Sequence, residues 1–249
     1  MEKTTREGVR VKIAGWSGPR NMSTAMMYSF AARGDCTVLD EPFYAAFLEK
    51  TGLDHPMREV VIEVGETDPH AVRRACLDDP SGSETHVYQK HMAHHMLEGM
   101  PLDWLGEVAN LFLIRHPARV VASYAAKRER PVADDLGAAR LREIYEAVLA
   151  LGQRPAIVDT TDLRANPAGL LEALCDHVGL PWTEKMLAWP PGGHADDGPW
   201  ATHWYGAAHR STGFAGPEGD LPELSGDLAG LAASMMADYE ALAEMRLRA

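Results

Sequence analysis

The stretch from Val9 to Gly34 most constrains what this chain can fold into. Residues 9–14 (VRVKIA) alternate and are rich in β-branched side chains, so they predict a first strand. Residues 15–21 (GWSGPRN) break it with two glycines and a proline. Residues 22–33 then read as an apolar helix stopped by Gly34. Strand, Gly/Pro loop and helix make the opening of a βα unit. The loop at the carboxyl end of a first parallel strand is where such folds hold phosphate.

The same alternation continues. Residues 37–39 predict a second strand, with Asp40, Glu41 and Pro42 at its carboxyl end. Residues 59–64 and 69–77 predict helices, 78–84 a turn and 86–90 a third strand. Residues 108–114 (VANLFLI) carry little polarity, as expected of a strand covered on both faces. Arg115 and His116 end it, and Pro117 suits the first turn of a helix over 118–128. A helix over 138–151, a strand over 156–158 and a helix over 168–178 stopped by Gly179 follow. Residues 229–248 predict a terminal helix, and 192–198 and 213–220 are irregular. The expected class is α/β, a three-layer fold with a central parallel sheet flanked by helices. One domain is expected over residues 1–249, with the aromatic-rich stretch of about 189–220 as a lid.

Charge narrows the partners. The net charge of −12 should repel nucleic acid and anionic membrane, so any anion site must be a local basic pocket. The three cysteines Cys36, Cys76 and Cys175 lack metal or disulfide spacing. No apolar run is long enough to span a bilayer, and the charged N-terminal residues lack a signal-peptide core. A cytoplasmic protein is expected.

In the first loop Arg20 adds a fixed positive charge, and Ser23 and Thr24 add hydroxyl donors. The Gly-Lys pair of a Walker loop is missing, which disfavours metal-assisted nucleoside triphosphate hydrolysis. The segment Pro19-Arg20-Asn21-Met22-Ser23-Thr24 resembles the phosphosulfate-binding loop of the sulfotransferase family, usually written Pro-Lys-Ser-Gly-Thr-Thr. That resemblance implies 3′-phosphoadenosine 5′-phosphosulfate (PAPS) as donor, with Gly18 to Thr24 around its 5′ end. Arg20 takes the place of the family's lysine; an arginine stabilises charge but is a poor proton donor. Residues 111–127 (LFLIRHPARVVASYAAK) resemble the family's 3′-phosphate motif, with Arg115 at a strand end and Ser123 eight residues on. Together the similarity covers most of residues 9–190. Arg210, in His209-Arg210-Ser211-Thr212-Gly213-Phe214, is the nearest match to the family's Arg-Lys-Gly loop that closes over the nucleotide.

Two residues are candidates for the base that such a transfer needs. Glu41 follows the second strand, where some relatives acting on carbohydrates carry a Glu. His91 follows the third, but the small-molecule branch has Lys-Thr-His where this chain has Lys90 directly before His91. Glu41 is preferred, and Lys90 is a candidate for the donor that Arg20 cannot be. No carboxylate or cysteine joins His91 and His95, so no metal is expected. Trp189, Trp200, Trp204, Tyr205 and Phe214, with Phe43 and Tyr44, are candidates for an acceptor pocket. The expected activity is sulfuryl transfer from PAPS to a hydroxyl or amine of a small molecule, leaving PAP. The alternatives are a P-loop kinase of a small metabolite and a non-catalytic nucleotide-binding protein. Oligomeric state is left open.

Overall fold

The computed structural model describes residues 10–79, 86–126 and 131–249. Val9 of the expected first strand, residues 80–84 of the expected turn, and Lys127 and Arg128 of the expected helix lie outside the described residues.

The first half of the chain supplies β1 (Lys12–Ser17), α1 (Ser23–Ala31), β2 (Cys36–Asp40), α2 (Tyr44–Thr51), α3 (Arg58–Val64), α4 (Pro69–Leu77), β3 (His86–Met92), β4 (Ala109–Ile114) and α5 (Pro117–Ala125). The second half supplies α6 (Ala133–Leu136), α7 (Ala138–Ala150), β5 (Ala156–Asp159), α8 (Thr160–Ala165), α9 (Pro167–Val178), α10 (Ala201–Trp204), α11 (Gly226–Ser234) and α12 (Met236–Ala243). The five strands form one parallel sheet in the order β2-β3-β1-β4-β5. Helices cover both faces, so the protein has the expected three-layer α/β fold.

Strand alternation sorts the core into two halves. Ile13, Tyr88, Leu111 and Val158 pack with Met26, Met27 and Phe30 of α1 on one face. Ala14, Trp16, Phe112 and Ile157 pack with Trp104, Ile144 and Val148 on the other. Burying these side chains is the main stabilising term, at about 1.5–3 kcal/mol for each large apolar one.

Several boundaries differ from the sequence reading. β1 runs three residues further, through Gly15 and Trp16 to Ser17. Pairing on both sides, with β3 and β4, outweighs the low strand propensity of glycine there. Gly15 is required for a second reason: a Cβ at that position would stand 2.2 Å from the Tyr88 hydroxyl. β3 likewise continues to Met92, so His91 lies inside the strand. The helix α2 was not expected; no side chain caps its start. The expected terminal helix is broken at Met235, which lets α11 pack on α5 while α12 packs on α7 and the sheet. The last residues leave the helix, and Leu247 N–H donates to the Ile157 carbonyl at 2.8 Å. Among the described residues, no helix is long and apolar enough to cross a membrane.

Candidate active site

The carboxyl ends of β1, β2, β3 and β4 open on one cavity of about 360 Å³, near the lower end of the roughly 300–1,000 Å³ typical of ligand pockets. Pro19, Arg20, Met22, Ser23 and Thr24 line it, as do Glu41, Lys90, Arg115 and Ser123. These are residues that the sequence singles out, and the sheet order brings them together.

The loop between β1 and α1 is tightly wound. Arg20 and Met22 both hold left-handed backbones, with φ of 66° and 59°. Such conformations cost a non-glycine residue energy and gather at binding sites. Asn21 and Gly18 shape the loop from behind: the Asn21 amide donates to the Gly18 carbonyl at 3.0 Å. A Cβ on Gly18 would lie 2.3 Å from the Leu136 carbonyl oxygen, so that close approach needs glycine. No side chain caps α1, which leaves its first N–H groups for an anion.

Arg20 leans toward α5, its Nε donating to Ser123 Oγ at 2.8 Å. Arg115 Nη1 donates to the Arg20 carbonyl at 3.0 Å. Burial, and then the charge of Arg115, lower the pKa of Arg20. Two cations crowded this way are relieved by an anion. Arg164 of α8 lines the same end of the cavity. The sequence reading missed it, along with Arg119 on α5 and Glu218 in the loop before α11, which pair with each other at 2.9 Å.

The other end of the cavity holds a buried charge cluster. Lys90 Nζ contacts Glu41 Oε1, Asp40 Oδ1 at 3.0 Å and the Tyr205 hydroxyl at 2.5 Å. Tyr205 in turn donates to Asp40 at 2.7 Å and lies 3.0 Å from Glu41 Oε1. Glu41 has a left-handed backbone, φ 46°, pinned by its N–H donating to the Lys90 carbonyl at 2.8 Å. Burial raises the Glu41 pKa; the Lys90 charge opposes this and the Asp40 charge adds to it, leaving it above the ordinary value. Burial alone would lower the Lys90 pKa, but Asp40 and Glu41 outweigh it and hold the ammonium.

His91 does not reach the cavity. On a strand, neighbours point to opposite faces, so Lys90 and His91 part company. The His91 ring stacks on Trp16 with centroids 4.4 Å apart, beside Phe43 and Trp104. Its pKa falls to about 3 through burial and the Lys90 charge. A neutral imidazole within the aromatic core cannot serve the cavity, which corrects the alternative choice of base. His95 turns to the cavity side, stacked on Tyr44 at 4.4 Å, and so does not face His91. Among the described residues, no three His, Cys, Asp or Glu converge for a metal ion.

Arg210 is exposed and lies outside the cavity lining, a second correction. Its neighbour His209 holds the segment in place, with Nε2 3.1 Å from Asp197. The aromatics also divide. Tyr44, Trp204 and Tyr205 line the cavity, while Trp189 packs edge-on against Phe214 at 5.2 Å and Phe43 is buried beside His91.

A tightly wound loop after the first strand, arginines after the fourth and a carboxylate–lysine pair at the far end of the cavity sit on a P-loop-like α/β fold. A family model described as a sulfotransferase domain matches residues 11–248. The chain belongs to that sulfotransferase family. It is 38% identical over 206 residues to two Arabidopsis thaliana proteins, branched-chain-amino-acid aminotransferase-like proteins 2 and 1. The match covers 83% of this chain but 36% and 37% of those relatives, so the chain spans just over a third of their length. A similar solved structure is a sulfotransferase from Alicyclobacillus acidocaldarius, with a TM-score of 0.57 and 12% identity over 96% of this chain and 98% of that one. At that identity the likeness concerns the fold.

Proposed function

We propose that this chain is a sulfotransferase that moves a sulfuryl group from PAPS to a hydroxyl, or an amine, of a small molecule. The observation that carries the reading is a single cavity with an anion-seeking end and a carboxylate–lysine end. The first end suits a nucleotide with two phosphate-bearing positions. The uncapped start of α1 and the buried Arg115 Nε, which lacks a hydrogen-bond partner among the described residues, are donors that call for an acceptor.

The donor supplies an activated sulfuryl group: transfer breaks the sulfur–oxygen bond to its 5′-phosphate and makes one to the acceptor. Around it, Pro19, Arg20, Met22, Ser23 and Thr24 hold the 5′ end on a loop shaped by Gly18 and Asn21. Arg115 and Ser123 hold the 3′-phosphate. Glu41 takes the acceptor's proton, a role worth typically 10²–10⁴ in rate. Lys90 steadies the Glu41 carboxylate and offers the proton that Arg20 cannot. Tyr44, Trp204 and Tyr205 enclose the acceptor.

The test is a calorimetric titration with adenosine 3′,5′-bisphosphate (PAP), against ATP with Mg²⁺. Binding of PAP with weak binding of ATP is expected. Alcohols, phenols and amines are then screened with PAPS for the mass gain of one sulfuryl group. The reverse nucleotide preference overturns the donor and brings the kinase reading forward. PAP binding without transfer to any acceptor class favours a non-catalytic protein.

A further inference from the structure

Three arginines from three places in the chain converge on one carboxylate. Arg115 follows β4, Arg119 lies on α5 and Arg164 on α8. Glu218 comes from the irregular segment between α10 and α11. Its Oε1 accepts from Arg115 Nη2 and lies 2.9 Å from Arg164 Nη1. Its Oε2 lies 2.9 Å from Arg119 Nε and accepts from Thr161 Oγ1 at 3.2 Å. The Glu218 side chain is 1% exposed. Burial would raise its pKa, but hydrogen bonds and charge from Arg115, with help from Arg119 and Thr161, hold it below the ordinary value.

The neighbouring backbone joins the clasp. Arg119 donates to the carbonyls of Gly219 and Asp220, and Arg164 to that of Gly216 at 2.7 Å. One carboxylate therefore faces a cluster with more positive charge than it can neutralise. The buried Arg115 Nε still lacks a hydrogen-bond partner among the described residues. A carboxylate presents two oxygens and one charge. A phosphate monoester presents three terminal oxygens and close to two charges, a better match to three guanidiniums.

We infer that Arg115, Arg119, Arg164 and Thr161 form a phosphate site which Glu218 fills in the closed protein, and that a phosphate enters by displacing Glu218 together with residues 215–220. This deepens the reading above, since the nucleotide's 3′-phosphate is the expected entrant. The segment has no regular secondary structure, and nothing stands within 4 Å of where a Cβ would lie at 216 or 219. Closed, it pairs the arginines in part without a ligand; open, it enlarges a cavity that is small for a nucleotide and an acceptor together.

The experiment compares the full chain with Glu218→Ala and the near-isosteric Glu218→Gln. Each is titrated calorimetrically with PAP, with adenosine 5′-phosphosulfate, which lacks the 3′-phosphate, and with inorganic phosphate. Circular dichroism checks the fold of each variant. The expected result is PAP affinity at least tenfold higher in both variants, with adenosine 5′-phosphosulfate unchanged. If the wild type binds PAP and the folded variants bind it no tighter, the exchange is overturned while the donor reading stands. If no protein binds PAP but both variants gain binding of inorganic phosphate, the exchange stands and the donor reading falls. No gain for either phosphate in a folded variant overturns the exchange outright. Should Glu218→Ala fail to fold, Glu218→Gln decides alone.

Discussion

Arg20 Nε and Ser123 Oγ stand 2.8 Å apart although 103 positions separate them. The contact ties the loop after β1 to the helix after β4, so the two ends of the proposed nucleotide site share one hydrogen bond. Ser123→Ala cuts the tie and removes a donor from the 3′-phosphate. PAP affinity should fall by about ten- to a hundredfold, in line with about 1.5–3 kcal/mol for a hydrogen bond to a charged group. Arg115→Ala should cost at least as much. Calorimetry reads both, and unchanged affinity in both variants would sink the assignment of that end.

Glu41→Gln should abolish transfer while leaving PAP binding intact, because the amide keeps the shape and loses the base. The contrasting variant is His91→Phe, which should keep activity, since the ring sits among Trp16, Phe43 and Trp104. Product formation and nucleotide titration are measured together. Activity surviving the first change and dying with the second would reverse the choice.

The pH profile follows from the same carboxylate. As the proposed base, Glu41 works only when ionised, and its pKa lies above the ordinary value. Activity is therefore present above that pKa and lost as pH falls through it, so the acid limb of kcat/KM should sit above about 4.3. The Tyr205 hydrogen bond favours the ionised form. Tyr205→Phe should move the limb to higher pH. A limb at or below the ordinary carboxylate value, or a move downward, counts against Glu41.

Gly15→Ala should destabilise the fold by about 1–3 kcal/mol through overpacking against Tyr88. Pairing it with Tyr88→Phe removes the nearest atom and leaves the ring carbon 2.7 Å from the added Cβ, so the double variant should recover part of the loss. Denaturant unfolding measures this. Additive losses would mean that the clash lies elsewhere.

Much of the site could be read from the sequence because its residues sit at strand ends. Glycine and proline mark the first of these, and the long apolar run before Arg115 marks another. Lys90 and His91 show how much hangs on one boundary: with β3 ending at Lys90, His91 reads as the first residue beyond the strand. Continued to Met92, the strand's period of two sends them to opposite faces. The Arg119–Arg164–Glu218 cluster had no local signal. Its members lie on separate elements, and only the adjacency of β4 and β5 brings α5 and α8 side by side. The break at Met235 is silent for another reason, since methionine is a good helix former and only packing interrupts it there.

The sheet order also governs how the chain can be made. β1 and β2 are made before the other strands of this sheet, yet they do not pair with each other; each waits for β3, and β1 waits again for β4. A nascent chain that has not reached His86 thus carries two unpaired strands with apolar residues and no ladder to hide them. Closing the sheet by inserting its centre between later-made neighbours is a long-range, slow event. Synthesis of this protein therefore passes through a window of exposure to aggregation, which narrows when the strand bearing Lys90 arrives and closes with β4.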